Sequence, residues 1–281
     1  MNGKTILVTG STGLLGPYLV EALQGLGRVF GLARKNADIC VDCTDREAVA
    51  GALGAFKPDI VVHAAAMTDV DACERDPDAA FALNRDAVAN VRDALGPRAG
   101  LVLISTDQVY PDRPGPHREG DEDPVNVYGQ SKLAGELAAL GHPGALVLRA
   151  NIFGPSRTPG RVSLSDFFIQ ALPSGQPVKM FCDIFFSPLH MATLAQVLVL
   201  ALERGLCGVF NAGCREGASK RDFGLAVAAH KGLPLDRAEA CDSTDLPGRA
   251  GRPKDMRMDV TRLEKALGMS MPTLSREVEK L

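Results

Sequence analysis

Residues 4–16 read KTILVTGSTGLLG. A short apolar, β-branched run ends at Thr9, meets glycines at 10, 13 and 16, and passes at once into a helical pattern, LLGPYLVEALQGLG (14–27). A strand that turns on glycines into a helix brings backbone N–H groups and the positive end of a helix dipole to one point. That arrangement suits a pyrophosphate. The spacing is GxxGxxG rather than GxGxxG, so the glycines carry weight only through their context, directly after the first strand of a repeating series.

The series continues outward from that turn. RVFGLA (28–33), TDREAVAGALGAFK (44–57) and DIVVHAAA (59–66) alternate β-branched runs with helical patterns, which implies βαβ units and a parallel sheet. Asp76 is placed to cap a helix opened by Pro77 and reaching Leu95, and LVLIST (101–106) is the next strand. The polar, Pro-rich PDRPGPHREGDEDPVN (111–126) reads as a long loop leading into a helix near Val127 or Tyr128, and a further strand lies near 145–151. Beyond Gly154 the rhythm changes: helices at 161–171, 188–204, 219–230 and 261–267, strands near 177–182 and 208–212. The expected fold is α/β, a Rossmann-type doubly wound parallel sheet with a smaller C-terminal α/β substrate-binding portion. Residues 1–154, with returning segments near 177–212, would form the first part and 155–281 mainly the second.

The end of the second strand bears on the cofactor. GLARKN (31–36) offers Arg34 and Lys35, which suit a ribose 2′-phosphate, where an acidic residue would suit a 2′-hydroxyl. NADP(H) is favoured, and NAD(H) stays open. Asp42 is placed to touch the adenine. Further along, Tyr128 and Lys132 stand at i and i+4 on one helix face. The lysine cation would favour the phenolate, bringing the tyrosine towards a range useful for proton transfer. Thr106, at the end of the strand before the long loop, can orient a carbonyl opposite it, with Ser105 as the fallback.

Composition narrows the classes. Of 281 residues, Lys and Arg number 31 against 34 Asp and Glu, a net charge of −3, which offers no basic surface for nucleic acid. The N-terminal apolar run is too brief for a signal peptide and no stretch is long enough to span a membrane, so a cytoplasmic protein is expected. Seven cysteines are an odd number that suits free thiols, and Cys40-x-x-Cys43 lacks the second ligand pair a zinc site needs. His63 is expected to pack beside the cofactor site, His117 and His190 to cap or face solvent, and the run Glu119, Asp121, Glu122, Asp123 to be a solvated loop. Apolar faces at 14–26, 79–95 or 188–202 could equally serve a homodimer, because amphipathicity does not distinguish burial within a chain from burial between chains.

TGSTGLLG (9–16), HAAAMTDVDACE (63–74), ISTDQVY (104–110) and YGQSKLAGE (128–136) together resemble the extended short-chain dehydrogenase/reductases, in the branch of dTDP-4-dehydrorhamnose reductase. DIFFSPLHMATLAQVL (183–198) and GRPKDMRMDVTRLEKALG (251–268) continue the resemblance. It implies Thr106, Tyr128 and Lys132 as the catalytic set; Gly10, Thr12, Gly13, Leu14 and Leu15 around the pyrophosphate; Asp42 and Cys43 near the adenine; and Ala64, Ala65 and Ala66 along the cofactor, which Tyr128 and Lys132 are also expected to touch, the lysine at the nicotinamide ribose. It further implies hydride transfer from NADPH to the C4 ketone of a nucleotide-linked 4-keto-6-deoxy sugar. The sugar side is expected to draw on Met67, Thr106, Asp107, Gln108, Asn151 and Arg252, the last able to neutralise substrate pyrophosphate. Here the sequence departs from the family. Gln108 stands where Tyr is common, Met67 where His is common, and RANIFG (149–154) lacks the branch's Trp, in a chain with no Trp at all. Two other roles occur among similar proteins: a nucleotide-sugar epimerase, and an NADP-binding regulatory subunit like the methionine adenosyltransferase β subunit. Asp107-Gln108 does not supply the Asp-Glu pair of the dehydratases.

Overall fold

The computed structural model describes residues 3–245 and 248–281. Its first half follows the expected alternation: β1 (Lys4–Thr9), α1 (Gly16–Leu23), β2 (Gly27–Ala33), β3 (Ile39–Cys40), α2 (Arg46–Phe56) and β4 (Ile60–His63). A short helix, α3 (Val70–Arg75), comes next and had no signal in the hydrophobic pattern. The single helix expected from Asp76 is α4 (Pro77–Phe81), a π-turn at Ala82–Asp86 and α5 (Ala87–Ala94). Asp76 accepts the Ala79 N–H at 3.0 Å and Pro77 opens the helix, as the residue types dictate.

After β5 (Gly100–Thr106) the long loop leads to α6 (Val127–Leu140), whose N-cap Asn126 accepts the Gly129 N–H at 2.7 Å. β6 (Leu146–Phe153) follows, and α7 starts only at Leu164 and runs to Ala171. Ser163 and Asp166 form a reciprocal capping box that fixes this start, so residues 161–163, expected in the helix, belong to the loop that begins at Gly154. The remainder is β7 (Val178–Phe181), β8 (Phe185–Phe186), β9 (Pro188–His190), α8 (Met191–Glu203), β10 (Gly208–Ala212), β11 (Ala218–Ser219), α9 (Lys220–Lys231), β12 (Ala238–Cys241), β13 (Asp255–Met256), α10 (Thr261–Leu267) and α11 (Leu274–Val278).

The main sheet is parallel throughout, in the order β10-β6-β5-β4-β1-β2-β3, with β9 pairing the far end of β6. Its two faces bury alternate residues of the same strands. Ile6 and Val8 of β1 pack with α1, α8 and α10 on one side; Leu7 packs with α2, α5 and α6 on the other. The chain order reverses between β1 and β4, so a crevice opens at the C-terminal ends of those two strands, where ligands of such sheets sit. The segment Pro188–Ala212 runs in the main sheet and its covering layer, while β7 pairs β12, and β11, β8 and β13 form a three-stranded sheet. These small sheets and α7, α9 and α11 enclose a third core around Phe153, Phe168, Phe186 and Phe223. No helix among the described residues is long and apolar enough to cross a membrane.

Candidate functional site

At the crevice the chain leaves β1 through Gly10, whose φ of +69° lies in the left-handed region. A Cβ there would stand 2.7 Å from Ala65 N, and one at Gly16 would stand 2.3 Å from Ser11 O. Both positions therefore demand glycine, and the backbone of the turn lies against the end of β4 with no side chain between. Beside it runs a trough of about 930 Å3. Gly10, Thr12 and Gly13 form one wall, Ala64, Ala65 and Ala66 another, and Arg34, Lys35, Asp42 and Cys43 close one end. Arg34 and Lys35 are exposed at that end, free to meet an anion. Asp42 spends its carboxylate on Thr44, accepting from the backbone N–H at 3.0 Å and the hydroxyl at 2.8 Å, which holds it below the ordinary carboxylate range. Burial pushes the Cys43 thiol up to about 12, so it packs and does not react. The shape, the cradle a Cβ would fill and the two exposed cations fit an NADP-type dinucleotide.

A second cavity of about 360 Å3 continues from the first, sharing Gly10, Gly13, Ala64 and Ala66 with it. Leu14 and Leu15 line this part, as do Thr106, Asp107, Gln108, Tyr128, Lys132 and Asn151. Residues 22 to 26 apart in sequence meet here because β5 ends, and α6 begins, at the same edge of the crevice. Tyr128 is 8% exposed. Burial pushes its phenol above the usual value, with the Thr106 hydroxyl acting the other way. The expectation that Lys132 draws the phenol down is thus corrected. Lys132 donates from Nζ to the Ile104 carbonyl at 2.8 Å, and its own pKa is pushed down to about 8 by burial. Tyr128 is consequently a proton-bearing group near neutral pH, the state a proton donor needs. Ser105 does not stand in reserve, because its hydroxyl donates to Glu136. Thr106 lines the cavity, its hydroxyl accepting the Gln108 N–H at 3.2 Å and donating to Asp107 Oδ1 at 3.3 Å.

The residues assigned to the sugar side divide. Gln108 lines both the second cavity and a third, of about 990 Å3, and is held in place by Asn126 Nδ2 donating to its Oε1 at 3.0 Å. Asn151 donates to Asp107 at 2.8 Å, and burial pushes that fully buried carboxyl up to about 6. Met67 packs beside Tyr128 and Cys73 and does not line any of the three cavities. Its backbone is bound on both sides by Asn84, at 2.8 and 3.0 Å, from the π-turn, and the same amide donates to Ser131 at 2.9 Å. Arg252 lines the third cavity, yet its guanidinium is paired with Asp71 at 2.9 Å.

The third cavity carries Lys179, Lys220, Arg249 and Arg252 on its walls and no carboxylate among the described residues. Phe167, Phe168 and Phe181 supply its apolar surface, from α7 and β7. Lys220 was not anticipated. Its Nζ lies 3.4 Å from the centroid of the Phe186 ring, and burial pushes its pKa down to about 8, opposed by the Asp107 charge. One signal was available: Lys220-Arg221 put two cations in the first turn of a helix, against its dipole, a local inconsistency typical of functional positions.

The remaining candidates are structural. Burial and the Lys132 charge push His63 down to about 3, and its Nδ1 sits 3.0 Å from Thr9 Oγ1. His190 caps α8, accepting the Ala192 N–H at 3.1 Å, and His117 is buried, 2.8 Å from the Asp255 carbonyl and stacked on Tyr110. Of the acidic run, Glu122 pairs with buried Arg149 and Glu119 accepts the Asn211 N–H at 2.8 Å, so these two tie the loop down rather than face solvent alone.

Comparison with known proteins agrees with this geometry. The family model described as RmlD substrate binding domain matches residues 4–281. The probable low-salt glycan biosynthesis reductase Agl14 of Haloferax volcanii is 31% identical, covering 98% of this chain and 96% of its own. Methionine adenosyltransferase 2 subunit beta of Danio rerio is 33% identical over 95% of this chain and 86% of its own. Among solved structures, a dTDP-4-dehydrorhamnose reductase from Clostridium acetobutylicum superposes with a TM-score of 0.89 at 26% identity, covering 98% of this chain and 97% of that one. The Bacillus anthracis reductase, solved in complex with NADP, shares the fold at a TM-score of 0.90 and 22% identity, covering 99% and 98%. With a parallel sheet reversing at the glycine turn and a match spanning almost every residue, the chain belongs to the RmlD substrate binding domain family, within the extended short-chain dehydrogenase/reductase fold.

Proposed function

We propose that the protein is an NADPH-dependent reductase acting on the C4 ketone of a nucleotide-diphospho-4-keto-6-deoxy sugar. The observation that carries this reading is one of adjacency. Tyr128, Thr106 and Lys132 line a cavity that shares Gly10, Gly13, Ala64 and Ala66 with the glycine-walled trough, and Gln108 lines both that cavity and a cationic pocket with apolar walls. A nucleotide diphosphate needs cations for its phosphates and apolar surface for its base, and the third cavity supplies both.

When bound, reduced NADP supplies the hydride. Arg34 and Lys35 meet the 2′-phosphate, and Lys132 holds the nicotinamide ribose. Thr106 donates a hydrogen bond that orients the ketone oxygen, and Tyr128 gives its proton to that oxygen as the carbon is reduced, leaving an alcohol and a phenolate that solvent reprotonates. Gln108 and Lys220 stand where the sugar ring passes from the reacting centre to the diphosphate. Incubation with dTDP-4-keto-6-deoxyglucose and its epimers, following NADPH absorbance, tests the reading. Consumption of NADPH with appearance of the sugar alcohol supports it, and the absence of oxidation with any nucleotide keto sugar refutes it.

A second reading draws on the match to the methionine adenosyltransferase β subunits: an NADP-binding regulatory subunit. A stoichiometric partner enzyme recovered by pull-down, with no turnover, would favour it.

A further inference from the structure

The loop from Gly154 to Ser163 is built as a clasp. Its base is closed by one carboxylate, since Asp166 Oδ2 accepts from Ser156 N at 2.9 Å and from Ser163 N at 3.1 Å. Its body is fastened to the dinucleotide-facing helix: the Tyr18 hydroxyl donates to the Pro155 carbonyl at 2.7 Å, and Arg157 pairs with Glu21 while lying 4.0 Å over the Tyr18 ring. Its tip reaches the glycine turn itself, where Thr158 Oγ1 donates to the Gly13 carbonyl at 3.0 Å. A turn closed by Arg161 N donating to Thr158 O at 3.2 Å, with Gly160 at φ +74°, then brings Arg161 back along the crevice.

The place where Arg161 arrives is specific. The residues shared by the trough and the catalytic cavity are Gly10, Gly13, Ala64, Ala66 and Arg161. Four of them have a side chain no larger than a methyl, and the fifth is a cation. That junction lies over the start of α1, between the end that suits the adenosine and the end that holds Tyr128, so a dinucleotide spanning both must pass its diphosphate through it. The arginine side chain is exposed and makes no hydrogen bond or ion pair among the described residues. α1 is only eight residues long and has no basic residue in either terminal turn, so its dipole contributes about half a charge against the two of a diphosphate. Arg34 and Lys35 line the trough but not the junction.

We propose that Arg161 is the cation that neutralises the cofactor diphosphate, delivered by the 154–163 clasp that Thr158 fastens to Gly13. The contact is common to NADPH and NADH, whereas the contacts of Arg34 and Lys35 distinguish them. The inference rests on the trough being the dinucleotide site, and the test separates the two. Fluorescence titration of Arg161→Met, with thermal denaturation as a check on folding, should show NADPH and NADH both weakened, by roughly ten- to a hundredfold, with their ratio preserved. Adenosine 2′,5′-bisphosphate, which lacks the diphosphate bridge, should lose much less. Thr158→Val should weaken both cofactors in the same direction by a smaller factor, while Arg34→Ala should change the ratio. Unchanged affinities in Arg161→Met would overturn the proposal, and a loss confined to NADPH would move Arg161 to the 2′-phosphate and overturn it as well. Failure of the wild-type protein to bind either dinucleotide would overturn the reading of the trough and the proposal with it.

Discussion

Tyr128 and Lys132 sit one helical turn apart, yet burial acts on them in opposite chemical directions: it keeps the phenol protonated and makes the ammonium easier to lose. For Tyr128 the consequence is functional. Tyr128→Phe should lower turnover by roughly a hundred- to ten-thousandfold, the usual worth of a positioned proton donor. NADPH affinity, read by fluorescence titration, should change little, since the phenol hydroxyl is not the cofactor's anchor. For Lys132 the consequence is also a stability cost. Its folded pKa of about 8 lies below its unfolded value, so below pH 8 the charged amine is present in both states and folding bears the full desolvation cost. As pH rises from about 8 towards 10, the folded lysine loses its proton first and stability recovers. Lys132→Met should therefore stabilise the protein at pH 7, on the order of 2 kcal/mol, and the advantage should fade by pH 10 in denaturant titrations. An advantage that grew with pH would contradict the assigned shift. The i, i+4 pair was legible in the sequence because its spacing is local. Arg161, Lys220 and the Asp71 partner of Arg252 were not, because each acquires its neighbours from residues far along the chain.

At the level of elements, the site depends on α6 being held against β5 and β6. Arg149 does this from β6 itself: it is 1% exposed, pairs with Glu136 of α6 at 2.6 Å and with Glu122 of the long loop, and donates to the Tyr110 hydroxyl at 3.0 Å. Glu136 in turn accepts from Ser105, the residue before Thr106. Removing one partner of a buried pair leaves the other charge uncompensated, so Arg149→Met should destabilise the protein by about 3–5 kcal/mol, seen as a lower denaturation midpoint. The same principle explains why Ser105 is unavailable to the site. Long elements with a clear period were readable: strands β1, β2, β4, β5 and β6, and helices α6, α8 and α9 within a few residues, and the short β3 was legible as Ile39 to Val41. Strands of two or three residues, such as β8, β11 and β13, have no periodicity to detect, and they exist through pairing with one another. The late start of α7 hung on a capping box, and residues 161–163, which it released from the expected helix, are the end of the clasp that carries Arg161.

At the scale of the whole molecule, three cavities lie in succession from the C-terminal edge of the main sheet to the small portion, each sharing at least one lining residue with the next, and under the proposed function they serve as one passage. A chain with a net charge of −3 brings Lys179, Lys220, Arg249 and Arg252 to the walls of one cavity, Arg252 already paired with Asp71, a local excess of cations in keeping with the anionic substrate proposed. Gln108 stands where the catalytic cavity meets the third, while Met67 lies outside all three, and Phe167, Phe168 and Phe181 give the third its aromatic surface. The central claim is that this passage brings a nucleotide keto sugar and NADPH together at Tyr128. Its most direct measurement is NADPH consumption, with product identification, on mixing the wild-type protein or Tyr128→Phe with dTDP-4-keto-6-deoxy sugars. The account predicts one sugar alcohol formed per NADPH consumed by the wild type, and almost none by a variant that still binds the cofactor. Equal rates in the two proteins, or no oxidation by a wild type that binds NADPH, would contradict it.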